Sequence, residues 1–200
     1  MQISGTEGYA ENADNLINAY ENVSFDQLHN KIMHLVATPP SKILDIGCGT
    51  GRDAAGFAAL GHHVTALEPT DAFRNAGRIL HPSPNITWLD DGLPKMEKLV
   101  ATTPEFDLIL MRAVWMHLDL QQRQTAMPII AKHLKPSGKL ILSLRHGPVP
   151  EGRRMFPVTA EETIALAATE HLKPIFMQEI MDSHFNRKDV SWTWLAFAGA

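Results

Sequence analysis

A doubly wound α/β sheet, parallel except for its last strand, is the fold class this sequence predicts. Short continuous apolar runs alternate with helix-period segments from Lys42 to about His171. A glycine-rich turn, GCGTG, follows the first of those runs, and two strand-like runs close the chain with too short a link between them for a helical crossover. Continuous apolar runs mark strands covered on both faces, which is how parallel sheets are built; a short link forces antiparallel pairing.

In chain order, a weak helical pattern covers Asn12–Tyr20 and a clearer one Phe25–Ala37, with Leu28, Ile32, Leu35 and Val36 on one stripe behind a Ser24 N-cap. Thr38-Pro39-Pro40 ends it, because proline lacks an amide donor and restricts its predecessor. Then follow strand Ile43–Ile46, helix Arg52–Leu60, strand His63–Leu67, helix Asp71–Leu80 and strand Asn85–Leu89. A short helix is expected over Lys95–Val100, then strand Phe106–Met111, helix Leu120–Leu134, strand Lys139–Leu144 and helix Ala160–His171. Pro128 should kink its helix or mark the true start, and Thr159 with Glu162 has capping-box spacing. Pro174–Met181 and Val190–Phe197, joined by Asp182–Asp189, form the terminal pair. On the last strand, alternation puts Trp192 and Trp194 on one face and Thr193, Leu195 and Phe197 on the other.

The 200 residues suit one domain, and 44% apolar with 20% charged side chains predicts an ordinary packed core. A net charge of −4 with 18 scattered basic residues lacks the Lys/Arg stripe that a nucleic-acid backbone or an anionic membrane requires. The lone cysteine, Cys48, rules out an internal disulfide and a thiolate zinc cluster. No charged start precedes an apolar run, and no apolar segment approaches the ~18 residues of a membrane span, so the expected location is the cytoplasm.

A buried strand, a glycine turn and a helix together make a ligand cradle, since the turn presents backbone amides at the positive end of the helix and missing Cβ atoms admit a cofactor. Gly47, Gly49 and Gly51 supply that turn. Gly49, Gly51 and Ala54 also fit GxGxxA, the fingerprint of nicotinamide and flavin dinucleotide binders. That alternative leaves Asp45 and Gly47 without a role.

The whole string DIGCGTG resembles the first motif of class I S-adenosylmethionine-dependent methyltransferases, and further segments are similar in the same order. Glu68 ends the second strand, where a carboxylate accepts from both ribose hydroxyls in either cofactor class. WLDDGLP resembles the family's adenine-contacting segment, which gives that contact to Asp90 first, with Asp91 as the alternative. FDLILMRAVWMHL resembles the fourth strand and its loop; HLKPSGKLILSL resembles the fifth, with Ser137 in place of a usual glycine and Gly138 expected in the left-handed conformation. The resemblance implies a Rossmann-like, seven-stranded sheet with an antiparallel last strand and helices on both faces. Residues 1–40 would be a helical lid and 41–200 the core of a single domain. It implies S-adenosylmethionine as cofactor, held by Asp45, Gly47, Cys48, Gly49, Thr50, Gly51 and Arg52 around the turn, by Glu68 and Pro69, and by Met111 and Arg112.

The implied reaction is direct in-line methyl transfer to a small-molecule acceptor, in which alignment supplies about 7–11 kcal/mol and a base is optional. Tyr9, Tyr20, Trp115, Arg145 and His146 are the candidate substrate contacts, and His117 and His146 the candidate general bases. Arg145, His146, Arg153 and Arg154 lie close in sequence on the substrate side, which suggests an acceptor bearing an anionic group. No metal-ligand pattern such as HExxH occurs. A nicotinamide-dependent oxidoreductase and a cofactor-binding regulatory protein without catalysis stay open, as do a monomer and a homodimer.

Overall fold

The computed structural model describes residues 3–182 and 187–199. After an irregular segment the chain forms α1 (Ala13–Glu21), α2 (Phe25–His29) and a 3₁₀ turn over Met33–Leu35. Ser24 caps α2 in a reciprocal box with Gln27, yet the helix expected as far as Ala37 stops at His29. Five residues are too few for a helix to hold itself. This one is held by side chains, Phe25 and His29 lying 4.9 and 5.7 Å from the Phe57 ring, while the break lets Ile32 and Leu35 turn into the core.

β1 (Lys42–Ile46), α3 (Arg52–Ala59), β2 (His63–Leu67), α4 (Asp71–Leu80), β3 (Ile86–Leu89) and α5 (Glu97–Val100) follow. The chain continues through β4 (Phe106–Met111), α6 (Leu120–Lys132), β5 (Leu134–His146), α7 (Ala160–Thr169), β6 (Leu172–Met181) and β7 (Ser191–Gly199). The seven strands lie in the order β3-β2-β1-β4-β5-β7-β6. All pairs are parallel except those of β7, which runs antiparallel to both β5 and β6. Of the link between β6 and β7, residues 183–186 lie outside the described residues.

Successive strand residues feed two cores, as sheets covered on both faces require. Leu44, Ile109, Leu142, Leu195 and Phe197 pack with α6 residues Met127 and Ile130, whereas Ile43, Leu108, Ile141 and Trp194 pack with Ala54 and Phe57 of α3. Trp192 departs from its expected place beside Trp194: it packs against the first cluster, at the strand end where the sheet gives way to a cavity.

Three local expectations change. α6 starts at Leu120 behind an Asp119–Gln122 capping box, so Pro128 lies inside the helix and is not its start. Thr159 caps α7, but Glu162 does not reciprocate; its carboxylate takes the buried Arg123 guanidinium at 2.7 Å instead. Gly138 is not left-handed; its Cβ would sit 2.8 Å from the Phe106 carbonyl oxygen, so it is small because β4 passes close by.

Candidate functional site

Strand order reverses between β1 and β4, and beyond the carboxyl ends of these strands lies a cavity of about 540 Å³, the usual ligand position in open α/β sheets. The glycine turn forms part of its wall. Gly47, Gly49 and Gly51 all have positive φ (68, 57 and 78°), a conformation that costs other residues about 1–2 kcal/mol. The Gly47 and Cys48 amides both donate to the Leu67 carbonyl, at 2.7 and 3.1 Å, which ties the turn to the end of β2. A Cβ at Gly47 would lie 2.5 Å from Val114, and one at Gly51 2.3 Å from the Trp88 ring. A Cβ at Gly49 would meet only the Tyr20 ring, at 3.7 Å. Gly47 and Gly51 therefore admit the protein's own side chains, whereas Gly49, which like Gly47 lines the cavity, has no side chain but the Tyr20 ring near its missing Cβ.

Glu68 is buried on the cavity wall. One carboxylate oxygen accepts from the Gly49 amide at 3.0 Å and the other from the Thr70 amide at 2.8 Å. The Thr70 hydroxyl is a third partner of this carboxylate; an ionised carboxylate has about four acceptor positions, so one remains available. Burial pushes the Glu68 carboxyl up, and the Thr70 and Gly49 amides offset part of that rise. Asp45, at the end of β1, is buried with Oδ2 unpartnered, and burial followed by the neighbouring Asp53 holds its carboxyl well above the usual range. Burial, then Asp45 and Glu68, push the thiol of the wall-lining Cys48 well above its ordinary value.

Asp53 is the residue that the sequence did not single out. Its oxygens lie 2.7 Å from Arg52 Nε, 3.0 Å from Arg112 Nε and 3.3 Å from His29 Nε2. Burial alone would raise this carboxyl, but His29 and the Arg112 and Arg52 guanidinium groups outweigh it and hold it well below the ordinary range. This cluster fixes Arg112 at the end of β4 and joins α2, α3 and β4 under the turn. An i,i+1 Arg-Asp pair gives no hint of partners that far away.

The N-terminal segment covers the cavity. Arg52 Nη1 donates to the Tyr20 carbonyl at 2.7 Å, and the Thr50 hydroxyl donates to Glu21 at 2.5 Å, fastening α1 to the turn. Tyr9 lies edge-on to Phe73, beneath the Arg153 guanidinium at 3.6 Å from its ring centre. Its hydroxyl is 2.9 Å from His117 Nε2, and His117 Nδ1 is 2.7 Å from the Arg154 carbonyl. A carbonyl can only accept, so Nδ1 carries the proton and Tyr9 donates to Nε2. Burial first, and then Arg153, lower the His117 pKa, which keeps the imidazole neutral; burial and Tyr20 raise that of the Tyr9 hydroxyl.

The cavity wall thus gathers Asp45, Gly47, Cys48, Gly49, Thr50, Arg52, Glu68, Pro69 and Arg112, with Tyr9, Tyr20, His117 and Arg145. Six expected contacts lie elsewhere. Gly51 is packed against the Trp88 ring and is not on the wall. Asp90 is exposed and pairs with Arg74 and Lys98 at 3.0 and 2.7 Å. Asp91 is buried, but its carboxylate is taken up by the amides of Gly92, Lys98 and Leu99; Gly92 and Leu93 form the wall in this segment. Met111 and Trp115 are fully buried in the core beneath the wall, because the strand end and the following turn point them inward. His146 bonds Thr193 at 2.8 Å and borders a separate, smaller cavity. Among the described residues no group of three or more His, Cys, Asp or Glu side chains is placed to hold a metal ion, and no helix is long and apolar enough to cross a membrane.

Residues 43–138 match the family model described as a methyltransferase domain. Over that span, just under half of the chain, the sequence is similar to the methyltransferase-domain family. A curated relative, the ubiquinone biosynthesis O-methyltransferase of Xanthomonas campestris, is 31% identical over 109 residues; the match spans 54% of this chain and 44% of that protein's length. Two solved methyltransferases share the fold over nearly the whole chain. The Burkholderia thailandensis 1,6-didemethyltoxoflavin-N1-methyltransferase, with 1,6-didemethyltoxoflavin and S-adenosylhomocysteine bound, has a TM-score of 0.71 at 18% identity, covering 96% of this chain and 85% of that one. The TehB-like S-adenosylmethionine-dependent methyltransferase of Corynebacterium glutamicum has a TM-score of 0.65 at 19% identity, covering 96% of both chains. The chain shares their Rossmann-like architecture, a seven-stranded sheet with a reversed last strand.

Proposed function

We propose that this methyltransferase domain binds S-adenosylmethionine against the glycine turn and transfers its methyl group to a small-molecule acceptor in the same cavity. The observation that carries the reading is Glu68: a buried carboxylate beside the turn, oriented by two backbone amides and with an acceptor position left over. The residues fit the cofactor. Glu68 takes a ribose hydroxyl, Gly49 lets the ligand lie against the backbone, Gly92 and Leu93 face the base, and the unpartnered Asp45 Oδ2 has an acceptor to offer. When bound, S-adenosylmethionine supplies a methyl group that is already electrophilic.

The chain's own part is to align and enclose. Tyr9, Tyr20 and α1 cover the site and exclude water. For an acceptor that must lose a proton, Tyr9 Oη receives that proton as it passes its own to His117 Nε2, whose lowered pKa keeps it ready to accept. The same reading takes residues 1–40 as a cover on one domain with its core at 41–200. It makes the protein a cytoplasmic monomer or homodimer acting on a free, anionic small molecule and not on nucleic acid or membrane, in keeping with its charge of −4 and scattered basic residues.

Incubation with methyl-labelled S-adenosylmethionine and a metabolite extract tests the reading. Label in a small product is the expected result. Cofactor binding with no label transferred across extracts would leave a cofactor-binding regulatory protein, and label in macromolecules would move the acceptor to another class.

A further inference from the structure

Five arginines line the cavity, and three of them are paired with carboxylates: Arg52 and Arg112 share Asp53, and Arg187 holds Asp182. Arg145 and Arg153 differ. Among the described residues neither forms an ion pair; Arg145 Nη1 donates only to the Pro148 carbonyl at 2.9 Å, and Arg153 rests on the Tyr9 ring. Each also has a buried nitrogen without a partner, Nε of Arg145 and Nη1 of Arg153. Leaving a charged donor buried and unbonded is costly unless something is meant to bond it. Burial first, then the nearby Arg187, lower the Arg145 pKa, and Asp182 and Asp189 offset only part of that.

One side of the pair is apolar, although Glu151 and Arg187 also lie on this wall. Arg145 ends β5 directly opposite Trp192 of β7, and directly opposed residues share a sheet face. Trp192, Met116 and Met155 belong to the same cavity wall. On the other side the Arg153 guanidinium is pinned over Tyr9, whose hydroxyl meets His117, so an anion between the two arginines would be anchored beside the proton-accepting pair.

We propose that Arg145 and Arg153 form an oxyanion subsite of the acceptor pocket. They select a small molecule with a carboxylate or phosphate on an apolar body. The inference rests on the methyltransferase reading and narrows its anionic acceptor to a carboxylate or phosphate seated by these two arginines. Arginine suits this role because its planar fork matches carboxylate and phosphate oxygens.

The test is calorimetry on the full chain saturated with S-adenosylhomocysteine, titrated with benzoate, phenyl phosphate and the neutral benzamide. Expected is binding of at least one of the two anions about tenfold or more tighter than benzamide, with that preference lost in both Arg145→Met and Arg153→Met and partly regained in Arg153→Lys. Preference for phenyl phosphate over benzoate assigns the anion to a phosphate, and the reverse to a carboxylate. S-adenosylhomocysteine affinity unchanged in the Met variants shows that they are folded and that these arginines do not hold the cofactor's own carboxylate. Anions binding no better than benzamide, or variants losing cofactor and anion affinity together, overturn the subsite. Failure of wild-type protein to bind S-adenosylhomocysteine at all instead removes the reading beneath it.

Discussion

Gly49 and Gly51 stand two residues apart in one turn, yet the geometry assigns them different tasks that a pair of alanine substitutions separates. Both have positive φ, so each substitution costs about 1–2 kcal/mol in backbone strain. At Gly51 the new methyl group would sit 2.3 Å from Trp88 Cη2 and 2.9 Å from Cζ2, and overpacking of that kind adds about 1–3 kcal/mol. Gly51→Ala should therefore lose about 2–5 kcal/mol in urea denaturation. Gly49→Ala should lose only the strain, since its methyl group would be in ordinary contact with Tyr20 at 3.7 Å. That methyl group projects into the cavity, so S-adenosylhomocysteine should bind at least tenfold more weakly, about 1.4 kcal/mol. Trp88→Phe removes the ring atoms that the methyl group of Gly51→Ala would strike, and a double-mutant cycle should return the overpacking part while leaving the strain. Wild-type cofactor affinity in Gly49→Ala would refute the turn as cradle, and wild-type stability in Gly51→Ala would refute the packing argument.

Glu68→Gln should weaken S-adenosylhomocysteine binding by about 1–3 kcal/mol, because an amide offers fewer acceptor positions and turns a donor toward a backbone N–H; unchanged affinity by calorimetry would remove the ribose assignment. Since burial raises the Glu68 carboxyl, wild-type affinity should begin to fall above the ordinary glutamate value of about 4.3 as pH drops, and a flat profile down to pH 4 would contradict it. Asp53→Asn should cost up to about 3–5 kcal/mol in denaturant unfolding, since it removes the buried carboxylate that Arg52, Arg112 and the buried His29 share. The Asp53 carboxyl is held well below its unfolded value, so its contribution is fully present at neutral pH and is lost only as pH falls through that lowered folded value. Once an acceptor that loses a proton is found, His117→Ala should lower kcat by about 10²–10⁴ with cofactor binding intact, and Tyr9→Phe should do likewise; a change in KM alone would make the pair a positioning device.

The sheet was readable because its strands are uninterrupted apolar runs, and the reversed β7 because its link to β6 is too short for a crossover. The positions of the glycine turn and Glu68 at the end of the sheet were readable because backbone position sets them. What sequence could not give depends on contacts across the fold. α2 ends at His29 because tertiary packing pulls that residue toward Phe57 and Asp53. Asp90 and Asp91 are adjacent acids in a turn, and only the path of the chain into α5 shows that the amides of Lys98 and Leu99 occupy Asp91. Trp115, an aromatic residue after β4, looks like a substrate contact until the 3₁₀ turn over Trp115–His117 buries it and leaves His117 on the wall. The basic cluster around SLRHGP splits in the same way: Arg145 and Arg153 line the cavity, while Arg154 is tied to Asp119 at 3.0 Å and His146 to Thr193.

The account stands on an adenosyl ligand gripped between the Gly49 backbone and Glu68. Titration of the purified wild-type protein with S-adenosylhomocysteine, alongside NAD as a control, tests this most directly. Saturable one-to-one heat with S-adenosylhomocysteine and none with NAD is the predicted result; a silent titration, or saturation by NAD instead, would contradict it.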